Sequence, residues 1–127
     1  MTGTFCLSSG YYEDYYLKAQ KVRTLIIDDF NKAFTKVDAI VAPVAADYPP
    51  KLGESTADPI TSYMMDILTI PASMAGIPAL SVPAGFRNGL PRGIQFMGPY
   101  FSEKLLFQIG HAFEQETEFY KEEPKIS

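Results

Sequence analysis

Two apolar runs, Ala79-Leu-Ser-Val-Pro-Ala-Gly-Phe86 and Gly93-Ile-Gln-Phe-Met-Gly98, stand on either side of Asn88-Gly89. Asn and Gly accept the left-handed backbone that a tight link between antiparallel strands demands, so the pattern predicts a hairpin. Alternate side chains of a hairpin share a face, which puts Leu80, Val82 and Phe86 together. Pro83 has no amide to give a neighbouring strand, so its own strand belongs at an edge or carries a bulge.

Around this hairpin the remaining elements follow from periodicity. Tyr16, Ala19, Val22, Ile26, Phe30, Ala33, Phe34 and Val37 recur at three- and four-residue intervals with charged residues between them, predicting a long amphipathic helix from Tyr12. Ser8 or Ser9 would cap it, with Gly10 easing the entry turn. Asp38 to Val44 is apolar without alternation, the pattern of a strand covered on both faces in a parallel or mixed sheet. The stretch Ala45 to Thr56, with Pro49, Pro50 and Gly53, reads as a surface loop.

Asp58-Pro59 opens a second helix, with Ile60, Tyr63, Met64, Ile67 and Leu68 as its buried stripe. Pro71 is expected to end it, with one further turn from Ala72 to Gly76. Ser102 is placed to cap a last helix whose Leu106, Ile109 and Phe113 face inward, before a frayed polar tail from Glu122 to Ser127. The fold class is therefore α/β: a mixed sheet of about three strands flanked by helices. So small a sheet leaves open edges, and further chain is expected to complete it. Residues 1–127 show no repeat, linker or compositional break, so they read as part of one domain.

Composition narrows the chemistry. A net charge of −4 argues against direct contact with nucleic acid, which needs clustered Lys and Arg. Cys6 is the only cysteine, so no internal disulfide can form and a reducing compartment, the cytoplasm, is expected. The first ten residues lack the pattern of a targeting segment, and no apolar run nears the roughly 20 residues that span a bilayer, so no membrane association is expected.

His111 is the only histidine and sits mid-helix with no carboxylate placed to orient it, so it reads as a structural or surface residue. One Cys and one His cannot supply the paired ligands of a zinc site, and the adjacent acids Glu13-Asp14, Asp28-Asp29 and Glu122-Glu123 diverge on solvated faces. Neither phosphate-loop spacing nor a Gly-x-Ser-x-Gly elbow occurs. Ser81, inside a strand, is expected to satisfy a neighbouring backbone group. Asp66 stands at the margin of the second helix's apolar stripe, where a carboxylate can face a cleft; as a helical acid it otherwise reads as exposed.

Several segments, taken in order, resemble the amidase-signature family, and within it the A subunits of the amidotransferases acting on glutamyl-tRNA(Gln) or aspartyl-tRNA(Asn). They are the Tyr-rich run Leu7 to Ile26, Asp66-Ile-Leu-Thr-Ile-Pro71, Ala75-Gly-Ile-Pro78, Ser81-Val-Pro-Ala-Gly85 and Gly89-Leu-Pro-Arg-Gly-Ile-Gln-Phe-Met-Gly98. The Tyr-rich run is the most discriminating of these.

The resemblance implies a subunit that releases ammonia from glutamine to convert Glu-tRNA(Gln) into Gln-tRNA(Gln). It implies a Ser, cis-Ser, Lys triad in an earlier Gly/Ser-rich region. No Gly-Gly-Ser-Ser-like segment lies between Met1 and Ser127, so the chain is expected to carry no catalytic residue and to be inactive alone. By resemblance Asp66 holds the ammonium group of glutamine. The resemblance implies that the arginine for the substrate carboxylate would fall just upstream of Met1, and Arg23 is instead expected in a surface or interdomain pair. Implied partners are the upstream amidase portion and the B and C subunits. ATP and magnesium are expected on the B subunit, with no cofactor or metal in this segment. Two other readings stand beside this one: a non-catalytic module that binds the other subunits or complements the upstream portion, and a fragment of a general amidase.

Overall fold

The computed structural model describes residues 12–46 and 59–123. A π-helical turn over Tyr12–Leu17 runs into helix α1, Lys18–Phe34; strand β1 is Ile40–Pro43. Helices α2, Pro59–Asp66, and α3, Ile70–Ala75, precede strands β2, Ala79–Arg87, and β3, Leu90–Met97. Helix α4, Glu103–Thr117, and a 3-10 turn over Phe119–Lys121 close the described chain. The expected caps Ser8, Ser9 and Asp58, most of the Ala45–Thr56 loop and the end of the polar tail lie outside the described residues.

The hairpin forms as expected. Asn88 and Gly89 take φ of 55° and 77°, the two left-handed residues of a turn whose twist matches the strands. Pro83 satisfies both of its expectations: β2 is an edge strand, and its register with β3 breaks between Pro83 and Phe86. Gly85, inside the break, takes φ of 111°. Phe86 is half exposed and meets the Phe119 ring edge-on.

The sheet order is β1-β3-β2, and both pairings are antiparallel. Three strands between helices thus match the expected class, but β1 differs from the strand anticipated at Asp38–Val44. It is an edge strand with alternating burial, and Val41, on the face of Phe96, remains exposed. The apolar run lacked alternation because the outward position is also apolar.

The two faces of β3 carry separate clusters. On one, Met97 packs with Ala72, Ala75 and Ile77, against Ile26, Phe30 and Phe34 of α1. On the other, Phe96 packs with Val82 and Leu106, against Ile109 and Phe113 of α4. This gives three layers, α1 and α3 over one face and α4 over the other. The inward residues of α4 are those its spacing predicted. Only the C-terminal half of the α1 stripe is covered, since Ala19 and Val22 are exposed; Leu25, off the stripe, is exposed too.

Three expectations are corrected. The stripe expected of the second helix is mostly uncovered: Ile60 is 70% and Tyr63 74% exposed, Met64 and, just past α2, Ile67 are also outward, and Leu68 alone of the five is half-buried. Periodicity reports an apolar face, not what covers it. Pro71 does not end α2, which stops at Asp66; it sits in the first turn of α3, where its missing amide costs nothing. Ser102 occupies the cap position of α4 but makes no side-chain cap, because its hydroxyl donates to the Pro99 carbonyl at 2.7 Å.

Candidate functional site

Asp66 is the last residue of α2 and is exposed. Its carbonyl accepts from the Thr69 amide at 3.0 Å and from Thr69 Oγ1 at 3.2 Å, so a tight turn links α2 to α3. No ion pair or hydrogen bond to its carboxylate is present among the described residues.

Two neighbouring clefts, which share Val44 and Ser81, open beside this link. One, of about 370 Å³, is lined by Thr69, Ser73, Ser81 and Gln95 over an apolar base that includes Ala72 and Ile77. The other, of about 740 Å³, runs from Met65 past Ser81 to Arg92 and Gly93. Met65 precedes Asp66 and lines the second cleft, while Thr69 lines the first; Asp66 itself lines neither.

Gln95 is the polar residue that sequence reasoning missed. It lies on the central strand, only 4% exposed, and its Nε2 donates to the Pro43 carbonyl at 3.0 Å and the Leu68 carbonyl at 2.8 Å. Two converging carbonyls fix the orientation of the amide, because only its nitrogen can donate. A signal existed: one uncharged polar side chain inside the apolar run Ile94-Gln-Phe-Met97 has to find partners when buried.

Ser81 stands opposite Gln95 across the β2–β3 ladder and shares its face. It lines both clefts, and no hydrogen bond from its hydroxyl to a described backbone group occurs, contrary to the expectation for it. His111 is exposed on α4, which covers the opposite face, so the sheet separates these two residues. Cys6 lies outside the described residues. Arg23 donates from Nε to the Met74 carbonyl at 2.7 Å and so ties α1 to α3. No group of three or more His, Cys, Asp or Glu side chains converges among the described residues. No described helix is long and apolar enough to cross a membrane.

The described residues thus form a hairpin-centred antiparallel sheet between helices, with hydroxyl- and amide-lined clefts beside the α2–α3 link. Residues 1–107 match the Amidase family, and the chain belongs to it. It is 54% identical over 126 residues to the A subunit of the glutamyl-tRNA(Gln) amidotransferase of Geobacillus kaustophilus, a match covering 99% of this chain and 26% of that protein. The counterpart from Lactiplantibacillus plantarum matches at the same identity and the same coverage. The chain thus spans about a quarter of the length of these curated relatives.

The solved structure of the corresponding protein from Thermotoga maritima superposes with a TM-score of 0.78 at 49% identity, covering 91% of this chain and 25% of that one. A bacterial aryl acylamidase of the amidase-signature family is more distant, with a TM-score of 0.63 at 27% identity over 80% of this chain and 23% of its own.

Proposed function

We propose that this chain forms one wall of the glutamine pocket in an amidotransferase of this kind, with Asp66 holding the substrate's ammonium group, and that bond cleavage requires the Ser, cis-Ser, Lys triad of the rest of the fold. The observation that carries this reading is the unfilled surface. Apolar side chains stand outward among the described residues: Ile60, Tyr63 and Met64 of α2, Val22 and Leu25 of α1, and Val41 on the edge strand β1. A surface of this kind suits contact with further polypeptide.

An exposed carboxylate at the end of α2, with no ion pair among the described residues, suits a cationic ligand that further chain would enclose, where exclusion of water strengthens the charge-assisted bond. The relatives' length supports the same view, since roughly three quarters of their fold has no counterpart here. In this reading the upstream amidase portion is the direct partner and the B and C subunits complete the complex. ATP and magnesium act on the B subunit, and the site of action is the cytoplasm.

The exposed apolar surface equally favours a second reading, a complementing or partner-binding module without chemistry of its own. The purified chain, alone and mixed with the remainder of the Geobacillus kaustophilus protein, separates the possibilities. We expect no ammonia release from the chain alone and glutaminase activity from the mixture. Assembly without activity would favour the second reading. Hydrolysis by the chain alone, lost on changing Ser81 or His111, would overturn both, and a preference of the mixture for simple amides over glutamine would point to a general amidase.

A further inference from the structure

The described side chains of α2 mostly face outward, so packing does little to fix where its last residue stands. What does fix it is polar. Asp66 closes a turn onto Thr69, and the residue between them that meets the sheet, Leu68, gives its carbonyl to Gln95 Nε2. The same nitrogen holds Pro43 at the end of β1. A single buried carboxamide on the central strand therefore bridges the edge strand and the segment that carries Asp66. Buried amides of this kind hold geometry firmly, because loosening them leaves two carbonyls without donors in a water-poor site.

We propose that Gln95 is a positioning residue for substrate recognition: its carboxamide sets the place of the Asp66 carboxylate relative to the pocket, and so governs affinity for the ammonium group of the amide substrate. This rests on the reading of Asp66 as the ammonium anchor. Gln95 touches no reacting atom in this scheme. Its loss should act on ground-state binding of one charged group and leave the cleavage step alone.

The test uses the chain assembled with the remainder of the Geobacillus kaustophilus protein, with glutamine and with glutaramate, the analogue that lacks the ammonium group. Gln95→Met keeps the volume and removes the donor. We expect it to raise KM for glutamine about tenfold, with kcat changed less than about threefold and KM for glutaramate unaltered. Asp66→Asn should raise KM for glutamine by at least as much, and the double variant should be no more than about threefold worse than Asp66→Asn alone, since both changes act on one contact. Hydrogen exchange at the Thr69 amide should quicken about tenfold in Gln95→Met. If Gln95→Met fails to assemble, Gln95→Asn, one methylene too short to bridge both carbonyls, takes its place.

Equal weakening of both substrates, a fall in kcat at constant KM, or effects that multiply in the double variant would overturn the proposal. Unchanged exchange at Thr69 would also overturn it, whatever the kinetics. An unaltered KM in Asp66→Asn would instead sink the Asp66 reading, which keeps the two failures apart.

Discussion

Single residues in this chain divide into those that the backbone requires and those that packing requires. Gly76 ends α3 at φ 73° with nothing within 4 Å of where a Cβ would stand, so Gly76→Ala should cost only the left-handed penalty, about 1–2 kcal/mol. Gly85 is different. Its φ of 111° is hostile to any side chain, and a Cβ there would come 3.3 Å from the Phe119 ring. Gly85→Ala should therefore cost more, up to about 3 kcal/mol, and urea titration of the two variants side by side checks the order. Leu106, 2% exposed between Val82 and Phe96, should lose about 2–5 kcal/mol as Leu106→Ala, whereas Leu25→Ala, on the exposed side of α1, should stay within about 0.5 kcal/mol by the same titration.

Among the elements, α2 is the one whose sequence and surroundings disagree. It is amphipathic by spacing yet presents its apolar side chains to solvent, which is expected of a helix whose cover belongs to other polypeptide. The double variant Tyr63→Ser, Ile67→Ser should leave the urea midpoint of the lone chain nearly unchanged, lower its self-association, and weaken its assembly with the rest of the fold at least tenfold. Size-exclusion chromatography and titration of restored glutaminase activity read these effects. A large loss of stability would instead mean that α2 is already packed. Helix α4 shows the opposite case: its stripe of Leu106, Ile109 and Phe113 finds the sheet face that the hairpin provides, and Phe113 meets Phe96 edge-on at 6.0 Å.

At the scale of the whole molecule, the two small clusters on either face of β3 are all that the described chain buries well, and two strand edges stay open. Such a chain should bind a hydrophobic dye such as ANS strongly when alone. Adding the remainder of the fold should quench most of that signal and sharpen the thermal transition, because the newly buried surface couples these elements into one cooperative unit. Dye binding unaffected by the added portion would count against the complementing role.

Much of this architecture was legible in the residues. The hairpin, its Asn88-Gly89 turn, the edge position of Pro83 and the inward face of α4 follow from local chemistry, since left-handed φ, a missing amide and a 3.6-residue period act within a few residues of their cause. Asp66 came into view from its place at the margin of the apolar stripe, and the motif around it suggested its role. Tertiary structure alone decided that β1 pairs antiparallel at an edge, that Pro71 opens a helix, and that the stripe of α2 has no cover among the described residues. It alone joined Gln95 to Pro43 and Leu68, partners 52 and 27 residues away. A sequence fixes which side chains need a partner, but which group arrives to meet that need depends on how distant segments come together.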